Sequence, residues 1–236
     1  MTKALTVGIH QPNFMPWAGY FNKIHKSDVF VIIDDVQFVK QSICNRVKIK
    51  NTEGEATWLT VPVRFENGSA STFNQTKIAD PGWYQKPLNL LRNSYQKAPY
   101  FETYFGDIEA MFKRPYESLA QFNILLIKYF CEQFEISTPI HIQSEIKIPF
   151  GKKNFLNLGI TQHFEGAIYL SGNGARKYND HDLFRAHGIE IVYNDFKPSW
   201  YQQLHGEFVE GLSVIDLLFN EGSAGASYIK GSIPQS

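Results

Sequence analysis

The chain has 236 residues, enough for one large domain or for a domain with a cap. Lys and Arg total 23, and so do Asp and Glu, so the formal net charge is zero, which argues against a nucleic-acid binder. The longest apolar runs, such as Val29–Ile33, are too short to span a bilayer. The N-terminus leads into a strand pattern without the apolar segment of a signal peptide, and Cys44 and Cys131 lack metal-binding spacing. These features predict a cytoplasmic protein.

The first thirty-four residues carry the pattern of a βαβ unit. Leu5–His10 predicts a short buried strand, which ends at Gln11-Pro12-Asn13. Trp17–Lys26 has apolar residues at helical spacing, and Asp28–Asp34 predicts a second strand, buried on both faces. The crossover between two such parallel strands is expected to be right-handed.

The rest of the chain extends this pattern after an interruption. Residues 46–50 and 57–63 predict a hairpin, and three helical stretches follow at about 83–97, 100–113 and 116–135. Alternating helix and strand patterns then resume at 154–164, 167–170, 182–187 and 189–193. We therefore predict one Rossmann-like α/β domain over residues 1–236. It has a parallel sheet, helices on both faces and a helical insertion at about 83–135.

The first candidate site follows the first predicted strand. His10, Gln11 and Asn13 stand at its carboxyl end, where open α/β sheets bind their ligands. Pro12 restrains the backbone between them, and the next helix would begin near Trp17, with an N-terminus that favours anions. The alternative is a capped turn with a satisfied histidine. The position favours a binding site.

The second candidate follows the second strand, where Asp34 and Asp35 precede Gln37. Adjacent carboxylates could hold a metal, a ribose hydroxyl or a substrate ammonium. Since successive strand residues face opposite sides, only one aspartate need face the site. The alternative role is that of a turn or a helix cap.

Two further segments are candidate phosphate sites. Alternation places Arg46, Lys48 and Lys50 on one face of a strand after Asn45, as a phosphate clamp or as a solvated edge. The loop predicted at residues 171–174, Ser171-Gly172-Asn173-Gly174, could expose backbone N–H groups to phosphate. It matches neither the Walker motif nor GxGxxG.

An ordered set of motifs along nearly the whole chain resembles the WbqC-like family. The motifs are His10-Gln11-Pro12-Asn13, Pro16–Phe21, Asp34–Phe38, Asn45-Arg46, Trp58–Val63, Tyr169–Gly172, Tyr178, Leu204-His205-Gly206 and Leu212–Asn220. The resemblance implies a bacterial protein encoded among genes for surface polysaccharides, such as O-antigen and lipopolysaccharide. It also implies a transferase that adds an acyl or aminoacyl group to a nucleotide-linked amino sugar.

A second resemblance concerns the opening of the chain. Val7-Gly8-Ile9, Gly19–His25, Asp28–Ile33 and Gln37-Phe38 are similar to the start of pantothenate synthetases, which belong to the nucleotidyltransferase-like Rossmann (HUP) group. Their HxGH motif would fall on residues 22–25. Asn22 replaces the first histidine and Ile24 the glycine, which argues against ATP activation by that motif.

The leading functional hypothesis is an N-acyl- or aminoacyltransferase acting on a nucleotide-linked amino sugar. His10 would deprotonate the sugar ammonium, because an unperturbed histidine has a pKa near neutrality, and Asp34 or Asp35 would hold the amine. The substrate-binding candidates are Gln11, Asn13, Trp17, Tyr20, Asn22, Gln37, Asn45, Arg46, Ser171, Gly172 and Tyr178.

Neither a metal site nor a nucleic-acid partner is predicted, and the donor remains open between ATP-linked and acyl-CoA chemistry. The alternatives are an ATP-dependent nucleotidyltransferase or ligase and a non-catalytic sugar-nucleotide-binding partner.

Overall fold

The computed structural model describes residues 4–39, 42–65, 71–146 and 151–231. They form two compact units that interleave along the chain. The first unit comprises Met1–Gln11, Gly19–Asp34 and Ile136–Lys197. The second comprises Pro12–Ala18, Asp35–Glu135 and Pro198–Ser236.

The described residues contain strands and helices of moderate length. In chain order the strands are β1 (Thr6–His10), β2 (Val29–Ile32), β3 (Arg46–Lys50), β4 (Ala56–Thr60), β5 (Val63–Phe65), β6 (Thr76–Ile78), β7 (Ile140–Ile142), β8 (Ile168–Gly172) and β9 (Glu190–Asn194). The helices are α1 (Ala18–His25), α2 (Gln85–Tyr95), α3 (Phe101–Lys113), α4 (Leu119–Gln133), α5 (Asn154–His163), α6 (His181–Ala186), α7 (Val214–Glu221) and α8 (Ala226–Lys230). Short 3₁₀ helices cover Gln143–Glu145, Asn173–Ala175 and Gly222–Gly225.

The first unit is built on a parallel five-stranded sheet with the strand order β7-β2-β1-β8-β9. Strands β2 and β7 lie to one side of β1 and strands β8 and β9 to the other, which is the doubly wound order of a Rossmann-like sheet. Right-handed crossovers place α1 and α6 on opposite faces of such a sheet. The α/β, Rossmann-like prediction is confirmed.

Side chains of the central strands show how each face of this sheet is covered. Tyr169 of β8 stacks on Phe184 of α6 and accepts a hydrogen bond from Asn157 of α5. On the other face, a side chain at Gly8 would collide with Ser27 and with Phe30 of β2. Glycine therefore lets the chain that follows α1 pack directly on β1.

The second unit combines two antiparallel ribbons with helices. β3 pairs with β4 from Arg46 opposite Thr60 to Lys50 opposite Ala56, and β5 pairs with β6. Ser118 caps α4 by accepting the Gln121 N–H, and Ser213 caps α7 by accepting the Ile215 N–H, as serine does at helix starts. The core of this unit is rich in fully buried phenylalanines, which account for much of the aromatic content of the sequence.

The structure departs from the predicted elements at one predicted loop and at several short elements, among them α8. The predicted loop at Ser171-Gly172 belongs to β8, because these residues continue the ladder opposite Tyr193 and Asn194. The three-residue strands β5, β6 and β7 were not predicted, since so short a segment has no recognisable period. No helix in the described part of the chain is long and apolar enough to cross a membrane.

Candidate functional site

The first unit brings polar groups together at the carboxyl edge of its sheet, where β1 and β8 end side by side. The chain leaves β1 toward β2 on one side and later enters β8 on the other. This is the topological switch point, at which open α/β sheets bind ligands. It is the candidate site of this unit.

His10 ends β1 with one ring nitrogen committed and the other available. Its Nδ1 lies 3.2 Å from the Gln11 carbonyl oxygen. Because a carbonyl oxygen only accepts, Nδ1 carries the proton and Nε2 keeps its lone pair. The Tyr20 hydroxyl donates to the same carbonyl at 2.9 Å, and its ring packs edge-on against the imidazole at 4.8 Å. Tyr20 thus fixes the orientation of His10.

Gly172 leaves space beside the free nitrogen of His10. A Cβ atom at Gly172 would lie 4.0 Å from Nε2, and it would meet no other heavy atom within 4 Å among its described surroundings. The neighbouring end of β9 is fixed by Asn194, whose amide donates to the Gly19 carbonyl at 3.0 Å. A small reacting group could therefore reach the lone pair from the β8 side.

Lys23 of α1 is an additional charged group at this position, and it was not among the predicted site residues. Its side chain is buried, and Nζ donates to the Ile9 carbonyl oxygen at 2.6 Å. Within the described ranges Lys23 forms no ion pair with an acid. Burial without a counter-ion lowers the pKa of Lys23 to about 7.

The same environment changes the charge state of His10. Burial and the nearby Lys23 ammonium lower the pKa of His10 from 6.5 to about 3. The expectation of a near-neutral histidine pKa is therefore wrong, and His10 cannot take a proton from a free ammonium ion at neutral pH. The neutral ring can still accept a hydrogen bond, or a proton from a strongly acidic nitrogen.

A second polar network occupies the other face of β8 and β9. Asn179 donates to the Ser171 hydroxyl at 2.9 Å and to the Tyr193 hydroxyl at 3.2 Å. The Tyr193 hydroxyl also lies 2.9 Å from Nε2 of His181. Ser171 therefore supports the segment that follows β8.

Arg176 is a cation at the rim of this edge. Its guanidinium lies 4.0 Å from the centre of the Tyr193 ring and hydrogen-bonds the Asn173 side chain at 3.2 Å. Its ion pair with Asp195 is long, at 3.5 Å, and exposed. Tyr178, a predicted substrate-binding residue, is 77% exposed nearby in the chain. An arginine held by stacking and one weak ion pair can rearrange to meet an anionic ligand.

The remaining first-unit candidates have structural contacts. Asp34 is buried, and its two carboxylate oxygens accept from the backbone N–H and the hydroxyl of Ser144, at 3.0 and 2.7 Å. This is the turn-capping arrangement that was the alternative for Asp34. Asn22 is also buried, whereas His25, at the second histidine position of the HxGH comparison, is exposed at the end of α1.

The other half of the predicted site belongs to the second unit, where Asn13 and Asn45 are buried. Asn13 accepts from the Cys44 thiol at 3.3 Å, and the Asn45 amide donates to the Val61 carbonyl at 3.1 Å. Asn123 of α4 ties the two segments together through the carbonyls of residues 12 and 44. These asparagines hold the backbone of the second unit in place.

The other second-unit candidates are more exposed. Asp35 and Gln37 lie outside the buried core, and Gln37 forms an isolated bridge with Thr72. Trp17 is 38% exposed beside Ser213, and the Arg46 guanidinium lies 4.3 Å from the centre of the Trp58 ring. Arg46 is therefore positioned by an aromatic face, which leaves its outer N–H groups for an anion.

Lys50 is neither a phosphate clamp nor a solvated edge residue. It is fully buried, and its ammonium donates to the Glu207 carbonyl at 2.5 Å, with longer contacts to Gln203 and Gly206. Alternation along β3 was predicted correctly, but residues 203–207 cover the far end of that face. Lys50 is a structural residue of the second unit.

Asp216 of α7 forms the centre of a related buried network. Its two carboxylate oxygens accept from the Tyr95 and Tyr201 hydroxyls, each at 2.8 Å. Burial raises the pKa of Asp216 and raises that of Tyr95 well above 10.0. The Tyr95 hydroxyl in turn accepts the Lys50 backbone N–H at 3.0 Å, which links α2, α7 and β3.

Sequence reasoning missed Lys23, although a signal for it exists. Tyr20, Lys23, Ile24 and Ser27 are spaced as one face of a helix and its continuation, and all four are buried. No set of three or more His, Cys, Asp or Glu side chains in the described residues is arranged to hold a metal ion.

Comparison with known proteins decides the family. A model of the WbqC-like protein family matches residues 11–228. The chain belongs to the WbqC-like family. It is also 30% identical over 226 residues to an uncharacterized protein of Mycobacterium tuberculosis, Rv1507c, covering 95% of this chain and 97% of that protein. No solved structure matches the chain.

Proposed function

We propose that this WbqC-like protein is an N-acyl- or aminoacyltransferase that modifies the amine of a nucleotide-linked amino sugar for a bacterial surface polysaccharide. The observation that carries this proposal is the lone pair of His10 Nε2, which faces the open position at Gly172 at the switch point of the sheet. A proton acceptor beside an open space at this edge suits a transfer reaction.

The lowered pKa of His10 restricts the step at which it acts. A base with a pKa of about 3 cannot prepare the nucleophile from an ammonium ion. The acceptor amine must therefore enter neutral. When its nitrogen attacks the acyl carbonyl, that nitrogen becomes positively charged and strongly acidic. His10 Nε2 then accepts the proton as the C–N bond forms.

The bonds balance for a thioester donor. The amine nitrogen forms the amide bond, the C–S bond breaks, and the thiolate leaves with the electron pair. The proton accepted by His10 passes to that sulfur, so the products are an amide and a free thiol. Arg176, stacked on Tyr193 at the rim, is the group suited to an anionic part of either substrate.

Mass spectrometry of a nucleotide-linked amino sugar incubated with the protein and acyl-CoA tests this function. We expect the sugar nucleotide to gain the mass of one acyl group. His10→Ala should lower the rate by about 10²–10⁴-fold. The control is His187→Ala, since His187 also holds its Nδ1 against a backbone carbonyl, at 2.9 Å, but lies beyond the end of α6.

The outcomes separate the candidate functions. Product formation only with ATP and a free acid, with release of AMP or pyrophosphate, would favour the ligase alternative. Tight binding of the sugar nucleotide without any change in its mass would favour a non-catalytic partner. Unchanged turnover in His10→Ala would remove His10 from the reaction.

A further inference from the structure

The second unit contains a pocket of about 510 Å³ that lies entirely within its own residues. The β5–β6 ribbon, the turn after β6 and the end of α3 form its walls. This volume lies in the range of ligand sites. The lining residues that matter for recognition are Arg64, Asp80, Trp83, Arg114 and Tyr116.

Trp83 provides a fixed aromatic wall. Its ring stacks on Phe112 at 5.4 Å with an interplanar angle of 29°, and it meets the edge of Phe122 at 5.4 Å. The indole is partly exposed, and its N–H donates to no described residue. One side of the ring is thus packed while the rest borders the pocket. Such a surface accepts a flat ring with little loss of side-chain freedom.

Tyr116 is a second fixed aromatic residue of the pocket lining. Its hydroxyl donates to the Met111 carbonyl at 2.8 Å, at the end of α3. This bond satisfies a carbonyl at the helix C-terminus and holds the tyrosine ring against Phe122, with ring centres 5.0 Å apart. The two aromatic residues are therefore in place without a ligand.

Two arginines that line the pocket, Arg64 and Arg114, have no acid partner among the described residues. Arg64 of β5 lies directly opposite Lys77 of β6, and like charges at opposed positions destabilise a ribbon. Arg114 directly follows α3 and also lines the pocket. Across the described ranges, none of these three side chains forms an ion pair. Lys113, by contrast, pairs with Glu109 at 3.2 Å. An anion would relieve the repulsion between Arg64 and Lys77 that the described residues leave uncompensated.

We propose that this pocket is a nucleotide-binding site, with the base against Trp83 and the phosphate groups held by Arg64 and Arg114. A flat ring and an anion are both required, because the aromatic wall and the unpaired arginines line the same pocket. Base stacking tolerates different bases, whereas arginine recognises phosphate through paired N–H donors. The site is independent of the chemistry assigned to His10.

Isothermal titration calorimetry with the full chain tests the site, with uridine diphosphate, uridine and pyrophosphate as separate probes. Uridine diphosphate should bind at least tenfold more tightly than either fragment. Arg64→Gln and Arg114→Gln should each weaken it about tenfold or more. The control is Arg92→Gln, which removes the same charge from an exposed residue of α2 outside the pocket.

Two further variants separate binding from folding. Trp83→Phe keeps the ring packing on Phe112 but reduces the stacking surface, so affinity should fall while the melting temperature changes little. Asp80→Asn removes the carboxylate of the lining, and asparagine tolerates the positive φ of 47° at this position. Binding should therefore be retained or tightened in Asp80→Asn.

The proposal is overturned if pyrophosphate binds as tightly as uridine diphosphate, because the aromatic wall would then contribute nothing. It is equally overturned if uridine matches uridine diphosphate, or if no probe binds. Equal losses of affinity in Arg64→Gln, Arg114→Gln and Arg92→Gln would also overturn it, because the effect would then come from net charge alone.

Discussion

Replacing Lys23 by methionine should change how the stability of the protein depends on pH. Lys23 is 3% exposed, and burial lowers its pKa from 10.5 to about 7. The unfolded chain therefore binds a proton at this lysine more readily than the folded protein does between pH 7 and 10.5. By linkage, the free energy of unfolding therefore rises with pH across that window. Below pH 7 the folded protein carries the full penalty for burying the Lys23 ammonium, and the penalty disappears as the pH approaches 10.5.

The size of this pH effect follows from the binding of a single proton by Lys23. Full linkage amounts to about 1.4 kcal/mol per pH unit, and partial protonation near pH 7 reduces it. Between pH 7.0 and 8.5 the Lys23 contribution should thus change by about 1.5 kcal/mol. A methionine side chain is unbranched and of similar length, so Lys23→Met should pack with little strain. The lost hydrogen bond to Ile9 shifts the whole curve without changing its slope.

Urea unfolding of wild type and Lys23→Met at the two pH values, followed by circular dichroism, measures this difference. Between pH 7.0 and 8.5 the free energy of unfolding of wild type should rise by about 1.5 kcal/mol relative to that of Lys23→Met. Lys26→Met, which removes an exposed ammonium from the end of the same helix region, is the control and should run parallel to wild type. A wild-type profile parallel to that of Lys23→Met would refute the buried-lysine reasoning.

Three other outcomes are expected. His10 should remain in the neutral Nδ1–H form at pH 5, because its pKa is lowered to about 3, and nitrogen NMR of labelled histidines would detect a charged ring instead. Gly172→Val should keep the melting temperature within a few degrees, since Gly172 has strand geometry (φ −80°, ψ 150°), yet lower acyl transfer at least tenfold by filling the space at Nε2. Tyr95→Phe should lower the free energy of unfolding, measured in urea, by about 2–4 kcal/mol. The variant removes the donor to the buried Asp216 carboxylate and the acceptor of the Lys50 N–H. A loss below about 0.5 kcal/mol would contradict a structural role for that network.

Periodicity in the sequence was sufficient to predict the parallel sheet. β1, α1 and β2 each lie within the predicted ranges, since apolar spacing distinguishes a helix from a buried strand over such lengths. The interleaving of two compact units could not be predicted, because it depends on contacts between segments that are distant in the sequence. Ser171-Gly172 looked like a loop for the same reason. Its strand geometry depends on pairing with β9.

The candidate site shows the same division between local and distant information. Its location was predictable, because the end of β1 follows from local pattern and parallel sheets bind ligands at that edge. The burial and charge state of each group could not be predicted. Lys50 was correctly placed on the face of Arg46, but its burial depends on residues 203–207. The lowered pKa of His10 depends on its burial and on Lys23, which belongs to another element.

For the proposed transferase, the charge states of His10 and Lys23 predict which protonation state of the acceptor amine can react. At pH 8 both side chains are largely neutral, so an uncharged amine can approach Nε2 without repulsion. Below pH 7 the Lys23 ammonium forms, and the acceptor amine becomes a cation as well. Both changes oppose productive binding, so acyl transfer should fall as the pH drops below 7. Protonation of Lys23 contributes to that fall, and in Lys23→Met the decline should therefore be shallower and reflect the acceptor amine alone. An identical decline of the transfer rate in both proteins would show that Lys23 does not influence the reaction, even if His10 still accepts the proton.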